Sequence, residues 1–79
     1  DLEKSFNYFK LSASEGDSNS LFLIALFYEC GVHVNKDLTK AYELYSQSAY
    51  HGNKKAYKKL NSDLFLSKSK NKLNYNSAS

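Results

Sequence analysis

The sequence predicts an all-α protein in which antiparallel helix–turn–helix repeats stack as a short right-handed α-solenoid, four helices long, followed by a polar tail. Three observations lead there. The chain repeats itself at a shift of 36 residues. Apolar side chains within each repeat recur at helical spacing. Glycine followed by Asp or Asn ends helical stretches at equivalent points, and proline is absent.

The repeat is clearest at the start of the chain. Asp1, Leu2, Lys4, Ser12, Ala13 and Gly16 meet Asp37, Leu38, Lys40, Ser48, Ala49 and Gly52, six identities in sixteen pairs. Phe6 and Phe9 meet Tyr42 and Tyr45, and Asp17 meets Asn53. The match thins after Leu60, because the counterpart of Gly31 is Ser67. A period in the thirties with helical periodicity inside it points to stacked helical hairpins.

The elements follow in order. The first helix spans about 2–14, with Leu2, Phe6, Phe9 and Ala13 along one face. Gly16 stops it by taking the left-handed conformation, and Asp17 caps the second helix, about 18–30. Gly31 opens a loop over 31–36. Asp37 caps the third helix, about 38–51, and Gly52-Asn53 repeats the stop-and-cap signal before a fourth helix over 54–66. Residues 67–79 are rich in Lys, Asn and Ser and are expected to be frayed or disordered. Ala25, Ala41, Ser48 and Ala49 are small where helices must cross closely. Phe6, Phe9 and Tyr45 are bulky plugs between neighbouring hairpins, and Tyr57, the counterpart of Leu21, falls on a packing position.

Composition narrows the function. A chain of 79 residues buries only about 60% of its unfolded surface, so its core is expected to be marginal. With one Cys it has no disulfide framework. No apolar run is long enough to span a membrane. The chain starts at Asp1 rather than Met and is expected to be a processed form or a piece of something longer. The net charge of +3 divides unevenly: residues 1–53 carry seven acids against four Lys, and residues 54–79 carry seven Lys against Asp63.

Ser20 to Tyr28, Gly31-Val32-His33-Val34, Lys36-Asp37, Lys40-Ala41, Tyr45, Ser48-Ala49 and Gly52-Asn53 resemble the Sel-one-like repeat, a tetratricopeptide-like family of helical hairpins. The resemblance covers about 1–66: one complete repeat over about 20–55, preceded by the second helix of one repeat and followed by the first helix of another. There are departures. His33 stands at the family's second loop glycine, Ile24-Ala25 replaces its Leu-Gly pair, and Leu44 replaces its frequent Trp. The resemblance implies a scaffold or adaptor, as in membrane-associated degradation complexes, cell-wall synthase activation, or bacterial signalling and host interaction.

No catalytic chemistry emerges from the residues. Cys30 and His33 have Cys-x-x-His spacing, but a zinc site needs about four ligands and no second pair exists. Cys30 is expected at a helix end, partly packed. No phosphate loop, nucleophile elbow or metalloprotease motif occurs. No catalytic residue, metal or cofactor is assigned, and the chain reads as non-enzymatic.

Binding remains. By resemblance to tetratricopeptide arrays, the inner face of the stack takes Asn19, Phe22, Leu26 and Glu29 from the second helix. Shifting by 36 residues gives Lys55, Lys58, Ser62 and Phe65 in the fourth, with Leu23 and Lys59 flanking them. The expected groove has an apolar half and a basic half, suited to a peptide with a hydrophobic anchor and an acidic end. Two alternatives stand beside it. The basic C-terminal part binds nucleic acid or another anionic surface, or the segment only closes a solenoid. Nucleic acid is not the expected partner, because Arg is absent and few aromatics interleave the Lys residues. The chain is expected to be monomeric.

Overall fold

The computed structural model describes residues 1–62 and Phe65. Among the described residues four helices follow one another, α1 (Leu2–Ser14), α2 (Ser18–Cys30), α3 (Leu38–Tyr50) and α4 (Lys54–Leu60), and Phe65 is also helical. Each packs on the next, and the α2–α3 pair is the most intimate. Among the described residues there is no strand, and the architecture is an all-α helical repeat.

Capping starts every helix. The carboxylates of Asp1, Asp17 and Asp37 and the side-chain oxygen of Asn53 accept backbone N–H groups of the following first turns. These bonds satisfy donors that have no partner inside the helix.

The repeat also appears in the hydrogen bonds that end α1 and α3. Gly16 N–H donates to Ala13 O at 2.9 Å, and Asp17 N–H to Ser12 O at 3.2 Å. Thirty-six residues on, Gly52 N–H donates to Ala49 O at 2.9 Å, and Asn53 N–H to Ser48 O at 3.0 Å. Both are Schellman closures, which need a left-handed residue after the cap. α3 ends at Tyr50, one residue short of the expected end, because His51 takes the C-cap position.

Among the described residues Ala25, Ala41 and Ala56 are fully buried with Tyr45 and Phe65 in one core cluster, and Phe6, Leu21 and Ile24 are buried as well. The small side chains let helices approach closely, and the rings of Tyr45 and Phe65 fill the space between them. Ser48 is also fully buried and donates to the carbonyl of Ser18 at 2.6 Å, so its hydroxyl is satisfied. Phe6 is buried, whereas Phe9 is half-buried and stands edge-on to Phe27 at 6.4 Å.

The loop between α2 and α3 folds back on its own helix. Val32 N–H donates to Phe27 O and Asp37 N–H to Tyr28 O, both at 2.9 Å. His33 takes φ +66°, a left-handed backbone that favours glycine. Its ring lies 5.2 Å from that of Phe6.

Four expectations are corrected. α4 stops at Leu60 instead of continuing to 66. Asn61 and Ser62 form a turn in which Ser62 N–H and Ser62 Oγ both go to Lys59 O, at 3.0 and 2.6 Å, while Phe65 is again helical. Phe65 is buried in the core rather than placed on the inner face, 5.6 Å from Tyr42 and 5.7 Å from Tyr45. Tyr57 is exposed, because no described helix covers the flank of α4 that α3 covers on α2. Cys30 is exposed at the end of α2 rather than partly packed. The expected tail, 67–79, lies outside the described residues.

Candidate partner-binding face

α2 and α4 are held together through three side chains. The Tyr45 hydroxyl donates to Glu29 Oε1 at 2.6 Å. Lys59 Nζ lies 3.2 Å from the same oxygen and donates to Glu29 Oε2 at 3.3 Å. The Lys59 ammonium also sits 5.9 Å from the centre of the Tyr45 ring. Burial, then the hydrogen bond to Glu29 and its negative charge, push the Tyr45 phenol well above its ordinary range. The hydroxyl therefore stays protonated and keeps donating.

A second tie joins the other end of the two helices. Asn53 Nδ2 donates to Asn19 Oδ1 at 3.2 Å and to Ser18 O at 3.4 Å. The Oδ1 of the same side chain caps α4, accepting from Lys55 N–H at 2.9 Å and Ala56 N–H at 3.2 Å. One buried amide thus uses both ends: the oxygen starts a helix and the nitrogen anchors it to the start of α2.

These ties sort the other expected contact residues. Glu29 and Lys59 are paired with each other, and Asn19 accepts from Asn53. Ser62 Oγ is turned back to its own backbone. Phe22 and Leu26 are half-buried against the core, with the Phe22 ring 5.4 Å from Tyr45. Lys55 and Lys58 are exposed. The structure therefore brings Asn19, Phe22, Glu29 and Lys59 into direct contacts across the bundle and leaves Lys55 and Lys58 facing solvent.

Tyr45 is the residue that sequence reasoning undervalued. It reads as a packing plug, yet its hydroxyl organises the pair. A signal existed: the repeat has Phe9 at the equivalent position, and a buried Tyr in place of Phe needs a hydrogen-bond partner. Among the described residues no group of three or more His, Cys, Asp or Glu could hold a metal. No described helix is long and apolar enough to cross a membrane.

The Sel1 repeat profile matches residues 1–17 and 18–53. This chain belongs to the Sel1 repeat family. The complete Sel1 match covers α2 and α3, within two residues of the expected phase, and the partial one covers α1. Sel1 repeats are helical modules for protein–protein interaction, without catalysis of their own. The chain is similar to the DAP3-binding cell death enhancer 1 of Rattus norvegicus, 42% identical over 60 residues, which cover 76% of this chain and 12% of that protein. The Mus musculus protein of the same name is 37% identical over 60 residues, with the same coverage. The chain thus spans a small part of the curated relatives it matches. No solved structure matches it.

Proposed function

We propose that this chain is a non-catalytic interaction segment of a larger Sel1 repeat scaffold or adaptor, binding a protein or peptide across α2 and α4. The observation that carries this reading is the Glu29–Lys59–Tyr45 cluster. It ties α4 to α2 and neutralises one lysine internally, while Lys55 and Lys58 of α4 remain exposed and Phe22 and Leu26 of α2 are half-buried. An apolar strip on α2 and two exposed ammoniums on α4 favour a partner with a hydrophobic anchor and acidic neighbours. In this reading Asn19, Glu29, Lys59 and Ser62 shape the face, and Phe22, Leu26, Lys55 and Lys58 make the contacts. The free chain is monomeric and uses no cofactor.

The relatives' name supplies one candidate partner, DAP3. The test is to immobilise the chain, offer purified DAP3 and separately a nuclease-treated lysate, and run a Lys55→Glu/Lys58→Glu variant in parallel. Retention of a protein by the parent chain and its loss in the variant supports the reading. Retention that disappears with nuclease favours the alternative, in which the exposed Lys54, Lys55 and Lys58 beside exposed Tyr57 bind nucleic acid. Retention unchanged by the variant moves the contact away from this face.

A further inference from the structure

The opposite flank of α2 borders a separate cleft. α1 and α3 both pack on α2, and an open space of about 440 Å³ remains between them. Leu21, Ile24 and Tyr28 of α2 form its floor, three residues that helical spacing places away from Phe22, Leu26 and Glu29. Phe6 and Ala13 of α1 stand on one side and Leu44 of α3 on the other.

Lys10 lines the α1 side and Lys40 the α3 side, and none of the residues lining the cleft is acidic. Among the described residues the ion pair is Lys59–Glu29, so neither Lys10 nor Lys40 has a carboxylate within bonding distance. Lys10 Nζ lies 5.6 Å from the centre of the Phe6 ring, which holds that ammonium at the wall. Gln47 adds an amide on the α3 side, a donor and an acceptor in one group.

We propose that this cleft is a second binding site, taking an acidic peptide segment that seats one apolar side chain between α1 and α3. The volume lies in the range of ordinary ligand sites, about 300–1,000 Å³. The charge selects the ligand: two ammoniums with no carboxylate partner flank an apolar floor, so carboxylates on either side of a Leu or Phe side chain complement both walls. The site is independent of the α2–α4 face, because it shares neither its lysines nor its apolar residues.

The test is fluorescence anisotropy on the full 79-residue chain. The probes are a fluorescein-labelled Glu-Asp-Leu-Phe-Asp-Glu peptide and its counterpart with Lys at every acidic position. Binding of the acidic probe and not the basic one is expected. Lys10→Glu/Lys40→Glu should weaken it by about tenfold or more, whereas Lys55→Glu/Lys58→Glu should change it by less than about twofold. Ala13→Trp, which fills the cleft, should abolish binding, with circular dichroism confirming that each variant keeps its helices. Absence of binding to the parent chain overturns the proposal. So does equal weakening by both lysine pairs, or weakening by the α4 pair alone.

Discussion

The Tyr45 hydroxyl donates to Glu29 at 2.6 Å across sixteen residues of sequence, and this bond joins the middle of α3 to the end of α2. Its ring is fully buried against Phe22 and Phe65, so one side chain is both core and polar anchor. Tyr45→Phe keeps the ring and removes only the bond. A hydrogen bond to a charged group contributes about 1.5–3 kcal/mol, and Glu29 keeps Lys59 as a partner, so a loss near 1–2 kcal/mol is expected. Urea denaturation measures it, and an unchanged midpoint would show that Lys59 alone satisfies Glu29.

The same residue sets a pH dependence. The Tyr45 phenol is raised from its ordinary 10.0, so the folded state holds this proton more tightly than the unfolded chain. The stability this contributes is complete below about pH 10 and is lost as pH rises above it. The stability difference between the parent chain and Tyr45→Phe should therefore shrink above that pH. Urea midpoints for the two proteins from about pH 8 to 11 provide the check, and a constant gap would contradict the sign.

Asn53 separates capping from cross-linking. Asn53→Asp retains an oxygen that caps α4 but loses the donor to Ser18 O and Asn19 Oδ1. Asp and Asn cap comparably, so a cost of about 1 kcal/mol or more would come from the lost tie and from a carboxylate left facing the Ser18 carbonyl. A thermal melt equal to that of the parent chain would show that the tie contributes nothing.

Two glycines should respond differently to alanine. Gly52 has φ +97° with no atom within 4 Å of an added Cβ, so Gly52→Ala meets only backbone strain, about 1–2 kcal/mol. Gly52→Val should exceed 1 kcal/mol for the same reason. Gly31 has φ +71°, and its added Cβ would stand 3.1 Å from Lys36 Cβ, so Gly31→Ala should cost more than Gly52→Ala. Chemical denaturation of the two variants gives the order, and a reversal would remove the steric argument at Gly31.

His33 tests the loop that joins α2 to α3. Its left-handed backbone disfavours branched side chains, while its ring contacts Phe6. His33→Gly relieves the backbone, forfeits the contact and adds unfolded-state freedom, leaving stability within about 1 kcal/mol of the parent. His33→Val keeps the strained backbone and loses the contact, and should cost more than His33→Gly. Equal midpoints for the two variants would mean that the strain is relaxed elsewhere.

What the sequence determined by itself is local. The starts of all four helices follow from Asp1, Asp17, Asp37 and Asn53, and the ends of α1, α2 and α3 from glycine signals, because caps and left-handed turns act over a few residues. The small residues at the crossings were equally legible, since Ala25, Ala41 and Ser48 fall on faces that a 3.6-residue period defines. The tertiary structure decided what those faces meet. α4 ends at Leu60, and Phe65 enters the core beside Tyr42 and Tyr45 instead of lying on the inner face, a placement set by contacts with α3 rather than by periodicity. The pairing of Glu29 with Lys59, and the tyrosine beneath them, depended on distances between groups 16 and 30 residues apart. Periodicity assigns a side chain to a face, but only packing determines whether its charge is already partnered when that face reaches the surface.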